Sequence, residues 1–135
     1  MSKSNTTEND VLKAILQGTD PSWRAGANLY LALYTADPGE AGTATTNEAT
    51  YTSYARITLV KASAWSDGGS TFSNAALLQF PQCTGGTNTI THVAIVTTSS
   101  GAGQILYSGA LNASLNVANL IQPQFGIGNL QVQED

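Results

Sequence analysis

Asn28-Leu-Tyr-Leu-Ala-Leu-Tyr-Thr35 alternates with a period of two. Leu29, Leu31 and Leu33 fall on one side, and Tyr30, Ala32 and Tyr34 on the other. That period belongs to a strand, because successive side chains of an extended chain point to opposite faces. Both sets are apolar, so the spacing predicts a central strand covered on both faces. Two layers over one strand imply a β architecture with a shared core.

On the N-terminal side the period is helical. Val11, Leu12, Ile15 and Leu16 fall on one helical face, Thr7-Glu8-Asn9-Asp10 has the form of a capping box, and Gly18 is a stop. On the C-terminal side Asp37-Pro38-Gly39 signals a turn and opens a long loop of small residues to Thr50. A loop of that length inside a compact domain marks a functional or partner-bound segment. Further strands are expected over 54–61, around Ala64-Trp65, and over 75–80, 89–97, 104–110, 114–117, 122–125 and 129–133. Turns at Asp67-Gly68-Gly69, 84–88 and 99–103 separate them. The expected fold class is mainly β: an antiparallel β-sandwich or jelly-roll-like barrel with one short N-terminal helix. The chain divides into a helical arm, 1–20, and a single β-sandwich domain, 21–135.

At 135 residues the chain can close one core without disulfides, and its one cysteine, Cys83, allows no internal bridge. Charged residues make up 10%, against about a quarter in average soluble domains. From 68 to 133 there is no Asp, Glu, Lys or Arg. Charge is depleted at the centres of protein interfaces, so this neutral half is read as surface that faces other protein. Nucleic acid is excluded as a partner, since five scattered basic residues on a chain of net charge −4 cannot track a phosphate backbone. No apolar run reaches the length of a membrane span, and no secretion-signal stretch follows Met1, so synthesis in a cytoplasm is expected.

Catalytic constellations are hard to assemble. His92 stands alone in mid-strand, on the expected face of Ile90, Ala94 and Val96, with no nucleophile-elbow serine. Cys83 has no basic neighbour in sequence to activate it. Asp37, Glu40 and Glu48 share the long loop, but their spacing matches no calcium loop and they read as solvated turn residues. No cofactor, metal or catalytic residue is expected. Tyr30, Tyr34, Tyr51, Tyr54 and Trp65 read as core and interface anchors.

Several blocks together resemble a known family. Leu29-Tyr-Leu-Ala-Leu-Tyr-Thr-Ala-Asp-Pro-Gly-Glu-Ala-Gly42, Asn47-Glu48 and Tyr54-Ala-Arg-Ile57 lead, with Phe72-Ser-Asn-Ala75, Leu78-Gln-Phe-Pro81, Thr91-His-Val-Ala-Ile95 and Leu106-Tyr-Ser-Gly-Ala-Leu111 after them. With the closing Phe125-Gly-Ile-Gly-Asn-Leu-Gln-Val132, they resemble small structural proteins of tailed-bacteriophage virions, often labelled tail-fibre proteins. The resemblance implies a non-catalytic virion protein. Because no shaft-forming repeat is present, the expected role is a capsid cement (decoration) protein. Its partners would be the major capsid protein and copies of itself. The alternative is a tail-fibre or tail-tip module that contacts a receptor or other tail proteins. Expected contact residues are Val11, Leu12, Ile15 and Leu16 on the helix, with Thr87 and Ala102 on two neutral loops.

Overall fold

The structure, a computed structural model, describes residues 1–134. Strand β1 (Ser2–Lys3) leads into helix α1 (Asn5–Gln17), and a single helical turn, α2 (Ser22–Ala25), precedes β2 (Asn28–Tyr34). Then follow β3 (Ile57–Val60), β4 (Trp65–Asp67), β5 (Thr71–Asn74), β6 (Leu78–Gln79), β7 (Asn88–Val96), β8 (Ile105–Val117), β9 (Gln124–Phe125) and β10 (Gln131–Gln133). They build a five-stranded sheet in the order β1-β8-β7-β2-β3, a three-stranded sheet β10-β5-β4 and a two-stranded ribbon β6-β9. Every pairing is antiparallel. The fold is mainly β and sandwich-like, and it is not a closed barrel.

β2 is central, between β7 and β3, and both its faces are covered. Leu31 and Leu33 join Leu59, Val93, Ile95 and Leu106 in one core, which the smaller sheets cover with Leu78, Phe80 and Leu130. Ala32 and Tyr34 join Ala94, Val96, Ile105 and Ala44 in a second cluster. Each Leu or Ile so buried contributes about 1.5–3 kcal/mol. Asn74 is buried among the covering strands with its amide fully used. Its Nδ2 donates to the carbonyls of Ala76 and Gly126, and its Oδ1 accepts from the Leu130 amide.

Three expectations change in detail. The segments 104–110 and 114–117 are one thirteen-residue strand, β8, bent by a wide bulge. Ile90 pairs with Leu115 and His92 with Ala110, so β8 residues 111–114 lie opposite Thr91 alone. The same bulge breaks the alternation in β7. Ile90 enters the leucine core, while His92, paired in register with Tyr34, lies on the opposite face from it. Helix α1 begins three residues earlier than the capping box implies. Ser4 is the N-cap, its Oγ accepting from the Thr7 amide at 3.3 Å, and Thr7 is a buried helical residue. The stop at Gly18 is as expected, in the left-handed conformation at φ 65°.

The long loop is the largest departure. It folds back over the sheet, burying Ala44 in the second cluster and Ala49 at the leucine core. Its backbone pairs with β2 through Ala49 N–H to Leu33 O and Thr35 N–H to Asn47 O. Glu48 is no solvated turn residue. Arg56 holds it in a bidentate pair, Nε to Oε1 at 2.7 Å and Nη2 to Oε2 at 2.9 Å, with the arginine side chain 2% exposed. The other guanidinium donors reach Thr98 O, Thr98 Oγ1, Ala44 O and Gly101 O. An arginine in this setting is tolerated because all its donors are satisfied.

Candidate interaction surface

Helix α1 is fastened to the body by polar contacts. Ser4 Oγ and Thr7 Oγ1 both donate to the Ile105 carbonyl, at 2.5 and 2.8 Å. Gln104 Nε2 donates to Thr7 Oγ1 and to Asp10, and Asp10 also accepts from the Trp23 indole. These anchors set the rotation of the helix, so Thr7, Asp10, Val11 and Ala14 turn inward. Leu12, Ile15 and Leu16 are left 56%, 72% and 75% exposed. Of the expected contact residues, Val11 is half-buried against the body, while Thr87 and Ala102 are exposed on loops at opposite ends of β7. The structure therefore brings Leu12, Ile15 and Leu16 together, beside Val11, and leaves the two loop residues apart from each other.

Beside α1 lies an apolar cleft of about 350 Å³. Its floor includes Leu29, Ile95 and Leu106, Val11 stands on the helical wall, and Trp65 and Phe72 belong to the opposite strands. Three neutralised polar groups close one end. Glu134 bonds Lys3 at 2.6 Å and accepts from the Tyr107 hydroxyl. The bond from Lys3, and then the one from Tyr107, hold the Glu134 carboxyl below its usual range. Burial, followed by the same carboxylate, raises Tyr107.

The sequence reading missed this cleft, because its lining comes from eight elements that no local pattern links. It also missed Leu77, Leu120, Ile121 and Ile127, which are exposed along and beyond the β6-β9 ribbon. A second hollow, about 810 Å³, runs between β8 and the segment 123–131, and no side chain described as lining it is charged.

His92 lies in a shallow hollow with Asp37, Glu40 and Ser108, and its Nδ1 is 2.8 Å from Thr91 Oγ1. Cys83 is completely buried, with Sγ on the Gly85 carbonyl at 3.1 Å. Tyr34, Tyr51 and Tyr54 are packing residues. The Tyr51 ring meets Tyr54 edge-on, and Tyr54 stacks on Phe80. Burial pushes Tyr51 up to about 12 and raises Tyr34 and Tyr54 further, so all three keep their protons and serve as hydrogen-bond donors. Tyr34 donates to Ala44 O, Tyr51 to Pro81 O and Tyr54 to Glu48. No cluster of three or more His, Cys, Asp or Glu suited to a metal ion occurs among the described residues.

The described surface thus offers apolar patches and an uncharged hollow and no catalytic constellation. Against known families, residues 2–133 match the model described as podophage GP4 fiber I protein gp80. The chain belongs to that family. It is a structural protein of a phage virion, associated with other virion proteins. The fibre description of the family agrees with the tail-fibre alternative and lends no support to the capsid-cement role. No curated protein matches the chain. Among its described residues, no helix is long and apolar enough to cross a membrane.

Proposed function

We propose that this protein is a non-catalytic tail-fibre component, which works by holding neighbouring tail proteins in place. The observation that carries the reading is the match to a fibre family over residues 2–133, almost the whole chain. The neutral 68–133 half supports it, because contacts built there rest on apolar burial and neutral hydrogen bonds. In this reading residues 1–20 act as an arm and 21–135 as the body. Thr87 and Ala102 belong to the outward loops available to partners, and no residue has a catalytic role.

Copy number tests the assignment. In purified particles a tail-fibre component is present in a few copies, and antibody label falls on the tail. A molar amount close to that of the major capsid protein, with label on the head, would overturn the reading in favour of a cement protein. Attachment through the neutral half predicts retention on particles through high salt and release by mild denaturant. Complete release by moderate salt would show that the few charged residues dominate.

A further inference from the structure

Two unpartnered apolar surfaces of this chain lie side by side, and they are complementary in form. One is a ridge, Leu12, Ile15 and Leu16 on α1; the other is the cleft that Val11 walls and that Trp65 and Phe72 face from across. Val11 and Ile15 are one turn apart on the same helical face, so the apolar surface passes from cleft to ridge without a polar break. We propose that the occupant of the cleft is the α1 ridge of a second copy, with the two copies related by a two-fold axis beside α1. This deepens the tail-fibre reading by naming the protein's first partner as itself.

Adjacency of ridge and cleft is what a two-fold contact requires. In an isologous interface each copy offers the same patch, so a patch that holds both a ridge and a groove is satisfied twice by one rotation. One ridge is too small for the roughly 800 Å² per partner of a stable interface, but ridge and cleft used together on both copies extend the contact toward it. The rims also match in charge. Lys13, exposed beside the ridge, has no ion-pair partner among the described residues. Asp67 is exposed at the β4-β5 turn, next to the cleft residues Gly69 and Ser70, and is equally without a cation. In the proposed dimer Lys13 of one copy is expected to pair with Asp67 of the other. The ridge is also cheap to keep ordered, since Ser4 and Thr7 already fix the helix on the sheet before any partner arrives.

Sedimentation equilibrium of the purified full chain tests this without the virion, so it can fail while the tail-fibre assignment stands. The wild type is expected to be a dimer at micromolar concentration. Leu12→Glu with Leu16→Glu, both on exposed positions, is expected to weaken association about a hundredfold or more and give monomer, with an unchanged circular dichroism spectrum. Lys13→Glu is expected to weaken it by about fivefold, and adding Asp67→Lys to restore it. The restoration reads the pairing itself and does not depend on how well either single variant folds. A monomeric wild type at about a hundred times that concentration, a dimer that survives the double glutamate change, or a charge swap that restores nothing would each overturn the proposal. Monomeric wild type whose incorporation into particles is nevertheless lost on the double change would assign the ridge to a different tail protein, and would overturn it too.

Discussion

Helix α1 and the 35–50 loop are both additions to the sheets, and they dispose of their apolar residues in opposite ways. The loop turns Ala44 and Ala49 inward and fastens Glu48 beneath Arg56. The helix, although it carries the larger apolar side chains, turns Leu12, Ile15 and Leu16 outward. Hydrophobicity alone would have produced the reverse. Polar anchors decide the matter: Arg56 holds the loop by the Glu48 carboxylate and the Ala44 carbonyl, whereas Ser4 and Thr7 fasten the helix by its polar side. Burying the helix's leucines would require giving up those bonds, and an unmade buried hydrogen bond costs about 1–3 kcal/mol.

The comparison is broken most severely at the loop. Glu48→Ala leaves the Arg56 guanidinium buried without its counter-charge, and stability in urea is expected to fall by about 3–5 kcal/mol. Replacing both partners, with Arg56→Met and Glu48→Leu, is expected to recover most of that loss. A loss no larger than that of a surface pair would mean that the loop is held by its backbone alone. Next in size, Asn74→Ala strands three backbone groups at once, and a fall of about 1–3 kcal/mol is expected in the same measurement. At the helix, Ser4→Ala removes the N-cap and one bond to Ile105, with an expected cost of about 1 kcal/mol. Hydrogen exchange should show it confined to α1. Changing Leu12, Ile15 or Leu16 to Gln is expected to move monomer stability by no more than about 0.5 kcal/mol. A large loss there would place the ridge in the monomer's core.

The smallest effect is one of pH. The carboxyl of Glu134 is lowered in the folded protein, so its stabilising contribution is present above the unfolded carboxylate range, near about 4.3, and fades as pH falls through the lowered value. Because the side chain is 48% exposed, solvent screens most of the gain. Glu134→Gln should lower stability slightly at neutral pH and flatten the acid limb, so that the variant and the wild type converge in acid.

The strand 28–34 was legible because its alternation is local and unbroken, and the stop at Gly18 for the same reason. His92 does share the face of Ala94 and Val96, but Ile90 was grouped with them wrongly, because a bulge is an event between two strands, and neither strand's sequence records it. The Glu48–Arg56 pair was missed because a carboxylate in a turn-rich loop looks solvated until the arginine eight residues later folds beneath it. The capping signal was read at Thr7 because a hydroxyl followed three residues later by an acid is the common form. Ser4 caps with no acid at that place, and Thr7 is occupied by the carbonyl of Ile105. The cleft was beyond any local reading, since its walls meet only when eight elements pack.

Beyond the Glu48 carboxylate and the Thr98 hydroxyl, Arg56 addresses the loop and the 98–101 turn through main-chain oxygens, Ala44 O, Thr98 O and Gly101 O. A carbonyl is the same whatever side chain its residue carries. The exposed loop residues Ala41, Thr43 and Thr45 are therefore free to vary in chemistry, while a gain or loss of one residue between Thr35 and Glu48 would move Ala44 out of reach. The guanidinium acts as a ruler for this segment: it fixes the length of the loop and leaves its outward chemistry open to change.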